Sequence, residues 1–222
     1  MEIHIITAFT GMFNSPFNES IIKRAQDRKL VTIQYHDLRN WTTDKHKTID
    51  SKPYGGGAGM VLLLEPIYKA VKDIKKMLQG KNYKVLLTSA KGEQFNQKLA
   101  RDFSQLDALV IICGHYEGVD ERIAKHLADQ ELSIGKYVLT GGELPAMVII
   151  DAVTRLIPGV LGNESSLSVE SFITGDETES PQYTRPEVFT TEDGEEWAVP
   201  KVLLSGHHKQ IEEWRQQNSQ NS

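Results

Sequence analysis

Cysteine is almost missing from this sequence: Cys113 is the only one in 222 residues. No intramolecular disulfide and no cysteine-cluster metal site can form, and a lone thiol suits a reducing cytoplasm. Long apolar runs are missing too. No window reaches the ~18 apolar residues of a membrane helix, and the apolar stretch Ala146-Met147-Val148-Ile149-Ile150 stops at Asp151. The opening Met1-Glu2-Ile3-His4-Ile5-Ile6-Thr7 lacks the basic start and the longer apolar region of a secretory signal, and reads as a strand. No repeat of solenoid period is present. Nor is there an excess of positive charge. With 25 basic and 30 acidic residues the net charge is −5, which excludes a histone-like or wholly basic nucleic-acid binder.

What is present suits one or two domains with a sizeable core. Hydrophobic residues make up 39% and charged residues 25%, ordinary for a globular protein. From Leu161 onward lie 12 of the 30 acidic and 4 of the 25 basic residues, a net of −8. The first 160 residues therefore hold 18 acidic and 21 basic, a net of +3, and an anionic partner fits that larger piece. It alternates short apolar runs with helical patterns. Strands are expected at Ile3–Phe9, Val31–His36, Lys84–Ser89, Ala108–Cys113 and Lys136–Leu139. Helices are expected at Asn18–Arg28, Leu64–Leu78, Asn96–Leu106, Asp120–Leu127 and Glu143–Leu156. Ile67, Ala70, Val71 and Ile74, for example, recur at helical period. Repeated strand–helix–strand units mean an α/β fold, a mostly parallel sheet with helices on both faces. The apolar Leu109-Val110-Ile111-Ile112 fits a strand buried on both sides. A break follows Pro158-Gly159. The domain reading is residues 1–160, then a serine- and acid-rich linker over 161–180, then a small piece over 181–222. That last piece has one clear helix, Gly206–Gln217, carrying Ile211 and Trp214 at helical spacing.

In an open α/β sheet, ligands bind outside the carboxyl ends of the strands. Three polar, glycine-containing stretches are expected there: Thr88-Ser89-Ala90-Lys91-Gly92, Gly114-His115-Tyr116-Glu117-Gly118, and Ile134 to Gly142. Each alone is equally an ordinary βα turn; three at one sheet edge favour a shared pocket. The run Lys52-Pro53-Tyr54-Gly55-Gly56-Gly57-Ala58-Gly59-Met60 looks like a phosphate cradle. It lacks the Gly-Lys-Ser/Thr of a P-loop and the strand-to-helix setting of a dinucleotide fingerprint, so it reads as a lid or a tightly folded wall. Upstream, Arg39, Lys45, His46, Lys47 and Lys52 interleave with Trp41 and Tyr54, a mixture that suits phosphates and unstacked bases. Standing alone, this stretch reads as a solvated basic loop. His46, His115, His207 and His208 have no metal-binding spacing, and Asp44 and Asp50 read as solvated. Cys113 reads as a small buried hydrophobe. Asp120 and Glu121 read as helix-capping acids, while Glu117 sits where it could face a ligand.

Several long motifs occur in order: Pro53 to Met60, Cys113-Gly114-His115-Tyr116-Glu117-Gly118-Val119-Asp120-Glu121-Arg122, Ser133 to Ala146, Tyr183-Thr184-Arg185-Pro186 and Leu203-Leu204-Ser205-Gly206-His207-His208. Together they span almost the whole chain, which resembles the bacterial tRNA (guanine-N1)-methyltransferases that modify the guanosine 3′ of the anticodon, at tRNA position 37. The resemblance implies a SPOUT-type α/β fold with a deep C-terminal trefoil knot in the catalytic domain and a small helical C-terminal domain that helps hold tRNA. It implies S-adenosyl-L-methionine as methyl donor, a cytoplasmic homodimer with an active site shared between subunits, and no membrane. It also implies a Mg²⁺ requirement, for which the sequence offers no dedicated ligand cluster.

Carried over by position, the donor site comprises Leu87, Thr88, Ser89 and Ala90; Gly114, Tyr116, Glu117 and Gly118; and Ile134, Gly135, Tyr137, Leu139, Gly141, Gly142 and Pro145. Ala90 replaces a usual proline, adding a backbone donor and removing some rigidity. The family's catalytic aspartate before a Ser-Phe pair becomes Glu170, ahead of Ser171-Phe172. Its carboxylate is kept with one more methylene, and Asp176 and Glu179 are alternative linker acids. Arg155 corresponds to the family's catalytic arginine. The resemblance leads to Lys23, Arg24, Arg28, Arg39, Lys45, Lys47 and Lys52 as phosphate contacts. It also leads to a C-terminal domain thinner than usual, with a weaker grip on tRNA. The alternatives are another SPOUT enzyme acting on ribose or rRNA, an NAD- or nucleotide-dependent enzyme using the same sheet edge, and a non-catalytic RNA-binding module.

Overall fold

The computed structural model describes residues 1–162, 172 and 178–219. The chain divides into two compact units, Met1–Gly162 and Asn163–Ser222.

The first unit has seven strands in all: β1 (Glu2–Thr7), β2 (Thr32–Asp37), β3 (Asp50–Ser51), β4 (Val61–Leu62), β5 (Tyr83–Gln94), β6 (Ala108–Cys113) and β7 (Gln130–Ser133). Apolar, largely β-branched residues build the central strands β1 and β6. The helices are α1 (Ser20–Asp27), α2 (Leu64–Met77), α3 (Gln97–Ser104), α4 (Glu121–His126) and α5 (Glu143–Thr154). Five strands form one sheet in the order β2-β1-β6-β5-β7, and every neighbouring pair is parallel. Parallel pairing needs crossovers, so helices cover both faces.

Two cores result. Leu109, Ile111 and Cys113 of β6 face one, with Phe13, Phe17, Phe103 and the α5 residues Ala146, Ile149, Ile150 and Val153. Ala108, Val110 and Ile112 face the other, with Ile67, Val71 and Ile74 of α2 and Ile123 of α4. All six β6 residues are buried, and burying each large aliphatic side chain contributes roughly 1.5–3 kcal/mol. Asn96 caps α3 by accepting from the Leu99 amide at 3.0 Å, and Asp120 caps α4 by accepting from the Arg122 amide at 2.9 Å.

Two expectations are corrected here. Lys136–Leu139 is not a strand; Gln130–Ser133 is. As an edge strand, β7 contributes only Leu132 and Ser133 as buried residues, so its sequence is mostly polar. Tyr137 and Val138, which look strand-like, are exposed in the loop that follows. Thr88–Gly92 is not a loop but part of β5, which changes register against β7 between Thr88 and Glu93.

In the second unit, β8 (Val188–Thr190) and β9 (Glu196–Ala198) form an antiparallel hairpin, followed by α6 (Lys201–Leu204) and α7 (His208–Asn218). A small helical domain was expected; α6 and α7 are there, and the hairpin adds strands to them. Gly194 closes the turn at φ +84°, and Phe189 packs on Trp197 across the strands at 5.7 Å. Tyr183 meets Trp214 of α7 edge-on at 6.2 Å.

A histidine pair makes the first unit acid-sensitive. His4 Nδ1 lies 2.9 Å from His36 Nε2, and the rings stack at 5.2 Å. Burial, with the charge of His4 adding, pushes His36 down from 6.5 to about 4. Burial also lowers His4, against the opposing hydrogen bond and charge of Glu2. Both groups are therefore held neutral where the unfolded chain takes up protons. Stability is full above about pH 6.5 and falls as the pH drops toward about 4. Urea midpoints measured from about pH 7 to about pH 5, above most carboxylate titration, should fall in wild type. They should fall much less in His36→Phe, which keeps a ring beside Trp41.

Candidate active site

The carboxyl ends of β5, β6 and β7 enclose a cavity of about 520 Å³, within the range of pockets that hold drug-sized ligands. Leu87, Thr88, Ser89 and Ala90 reach it from β5, Gly114, Tyr116, Glu117 and Gly118 from the loop after β6, and Ile134, Gly135, Tyr137, Leu139, Gly141 and Gly142 from the loop after β7. Pro145 joins from the first turn of α5. The structure thus brings together every residue expected at the donor site.

Backbone contacts make the walls. The Gly142 amide donates to the Gly114 carbonyl at 2.6 Å. A Cβ on Gly142 would overlap Thr88 Oγ1 and come within 2.7 Å of the Gly114 nitrogen. Thr88 Oγ1 is itself fixed by donating to the Ile112 carbonyl at 3.2 Å. The Gly55–Gly59 run connects β3 to β4 and is exposed to solvent, and none of its residues lines the cavity. The Glu117 amide donates to the Met60 carbonyl at 3.0 Å, and the Leu62 amide to the Gly118 carbonyl at 3.0 Å. Gly59 lies where a Cβ would occupy the Glu117 side chain.

Beneath the cavity, Glu143 is fully buried in the first turn of α5. It accepts from Thr7 Oγ1 at 2.8 Å and lies 3.3 Å from His115 Nδ1. The His115 ring packs on Phe9 at 4.4 Å and on Tyr116 at 4.8 Å. Burial, reinforced by the Glu143 charge, pushes the Cys113 thiol well up, so it is inert packing rather than a nucleophile.

Lys91 and His115, from the stretches expected at the pocket, also line it, and so do Glu121, read as a capping acid, and Glu131, which the sequence reading missed. Glu131 was hidden by misplacing β7. Lys91 donates to Glu121 at 2.5 Å. That bond, with the charges of Glu131 and Glu121, raises Lys91 above its usual value and lowers Glu121. Three glutamates against one lysine give the lining negative character.

A second groove of about 1140 Å³ adjoins the first and shares Val119 and Glu121 with it. It gathers Trp41, Tyr54, Tyr68, Lys52 and Arg122, so part of the aromatic–basic stretch does converge. Arg39 does not join it; its guanidinium donates to the Ala8 carbonyl at 2.5 Å. Lys23 pairs with Asp27, Arg24 donates to the Ser20 carbonyl and Arg28 to the Gly159 carbonyl. Lys45, Lys47 and Lys52 are exposed. Among the described residues no group of three or more His, Cys, Asp or Glu could hold a metal ion, and no helix is long and apolar enough to cross a membrane. Arg155 sits at the C-terminal end of α5, its amide donating to the Asp151 carbonyl at 3.2 Å. Glu170 and Asp176 lie outside the described residues.

A sequence profile of the tRNA (Guanine-1)-methyltransferase TrmD family matches residues 1–222. The chain belongs to this family. The tRNA (guanine-N(1)-)-methyltransferase of Carboxydothermus hydrogenoformans is 53% identical over 99% of this chain and 83% of its own length. Those of Dehalococcoides mccartyi and Dictyoglomus turgidum are 51% and 52% identical over 99% of this chain, and over 86% and 85% of their own lengths. Membership gives the glycine-walled cavity a chemical context: a methyltransferase needs a site for a methyl donor.

Gly142 tests whether the wall needs bare backbone. Its φ of −85° is open to any residue, so the cost of Gly142→Ala is steric. Overpacking of this kind costs about 1–3 kcal/mol. Thermal melts should show a loss of that order, and calorimetry should show weakened S-adenosyl-L-methionine binding, while Gly162→Ala, with open space around its Cβ position, should change neither.

Proposed function

We propose that this protein transfers a methyl group from S-adenosyl-L-methionine to N1 of guanosine 37 of tRNA. The observation that carries the reading is the cavity at the ends of β5, β6 and β7, with glycine backbone for walls and a negative lining, in a chain of the tRNA (Guanine-1)-methyltransferase family. When bound, the donor supplies an electrophilic methyl group on a positively charged sulfonium, which Glu117, Glu121 and Glu131 complement electrostatically.

Guanine N1 carries a proton at neutral pH, so a base must remove it before the lone pair can attack. The carboxylate of Glu170, from the partner subunit's linker, takes that role. Charge then builds on guanine O6, and the Arg155 guanidinium stabilises it. Holding both substrates at near-attack distance contributes several kcal/mol more.

The homodimer belongs to the same proposal. Helix α5 is apolar nearly all round, as a helix buried on every side is, yet Leu144 and Val148 are each 47% exposed. Packing against a second copy covers them. A trefoil knot in the sheet's C-terminal part fits the tight passages there: the Glu131–Leu132 backbone fills the Cβ position of Gly92, and the Gly114 amide crowds that of Gly142. The second unit holds tRNA, and exposed Lys45, Lys47 and Lys52 contact its phosphates. The enzyme works in the cytoplasm, where tRNA is found. The groove with Trp41, Tyr54 and Tyr68 favours a substrate with unstacked bases.

Single-turnover methylation of a tRNA transcript tests the assignment. Arg155→Ala and Glu170→Gln should each lower the chemical rate roughly 10²–10⁴-fold with donor affinity near normal. Co-expressed in one dimer, the two variants should recover activity, because one of the two sites keeps both residues. No recovery would place both residues in the same subunit's site. The product nucleoside must be N1-methylguanosine; a ribose-methylated product would overturn the reading. Binding of tRNA should weaken steeply with salt.

A further inference from the structure

Strand β7 brings the cavity a carboxylate whose charge suits a cationic donor but whose hydrogen-bonding capacity the methyl transfer leaves unused. Glu131 pairs with Leu87 across the sheet. Strand alternation sends its neighbour Leu132 into the core, leaving Glu131 to line the cavity. Its Oε1 is buried and accepts no hydrogen bond. Lys91 Nζ lies 3.9 Å away, too far to donate, and already donates to Glu121 at 2.5 Å. A buried acceptor left unsatisfied is costly, and a ligand that brings a donor to it recovers that cost.

We infer that Glu131 is a positioning residue of the cavity, accepting hydrogen bonds from the vicinal ribose hydroxyls of a bound nucleoside. The inference rests on reading the cavity as the methyl-donor site. The donor at Oε1 is neutral rather than cationic, because a ligand ammonium there would face the Lys91 ammonium across the same oxygen. A carboxylate near the end of a parallel strand is a known chemical solution for ribose hydroxyls, since its two oxygens match two adjacent O–H groups. A free nucleoside is the source: inside an RNA chain the 3′ oxygen is esterified and no vicinal diol remains.

Calorimetry with 5′-methylthioadenosine, its 2′-deoxy counterpart and S-adenosyl-L-methionine tests this on the full-length protein. Wild type should bind the 2′-deoxy compound about 10- to 100-fold more weakly than the ribose compound, as expected for a hydrogen bond to a charged group. In Glu131→Ala the two should bind alike, both near the wild-type affinity for the 2′-deoxy compound. Glu131→Gln, which keeps shape and one acceptor, should fall between; it also serves if the alanine variant melts early. Equal discrimination in wild type and both variants would overturn the role of Glu131 while leaving the donor site intact. A wild-type protein that binds none of the three compounds would instead remove the donor-site reading, and this inference with it.

Discussion

The cavity depends on one backbone contact. Where α5 begins, the Gly142 amide reaches the Gly114 carbonyl at 2.6 Å, and Thr88 Oγ1 fills the space a side chain on Gly142 would need. Three segments distant in sequence, the carboxyl ends of β5 and β6 and the N-terminal end of α5, are thereby locked together. The lock requires that Gly142 carry no side chain; at Gly114 a Cβ would meet the Thr88 carbonyl at a tight 3.3 Å. Gly118, at φ +121°, lets the loop after β6 turn back onto β4, where the Glu117 amide donates to the Met60 carbonyl.

Around that backbone frame the charges are arranged at two depths. Glu143 lies beneath the floor, in the first turn of α5, where the helix dipole and its neighbours Thr7 and His115 hold a buried carboxylate. Its companion is Cys113, which the same burial makes inert. Higher up, Glu117, Glu121 and Glu131 line the open space, offset only by Lys91. The lining is net negative, and the exposed Lys91–Glu121 pair contributes little stability of its own.

Helix α5 links the parts. One side supplies Ala146, Ile149, Ile150 and Val153 to the core. Its start holds Gly142 and Glu143 at the cavity, and its end carries Arg155. Its remaining side leaves Leu144 and Val148 in solvent. A shift of this helix would disturb cavity, cation and exposed face together, and so substitutions far from the chemistry can reach it.

Periodicity and motif were enough to read much of this from the sequence. β6 is all apolar because both of its faces are covered, so Ala108–Cys113 is found to the residue. α2 follows its helical period, and the three glycine-bearing stretches do fall at the cavity, while the donor-site residues one by one came from the family resemblance. β7 was not legible: an edge strand buries little, so Gln130–Ser133 carries no strong hydrophobic signal, and the apolar Val138 and Leu139 of the next loop imitate one. With β7 misplaced, Glu131 disappeared as a candidate. The β8–β9 hairpin did leave a signal in Asp193-Gly194, a turn dipeptide between strand-forming residues. The sequence alone determined the class of fold and the loops that meet a ligand, because burial and backbone freedom are properties of residue type. Only the tertiary structure decided which carboxylates end in the cavity, which cations are already engaged and which glycines touch, because those depend on register and close approach between segments that no local pattern encodes.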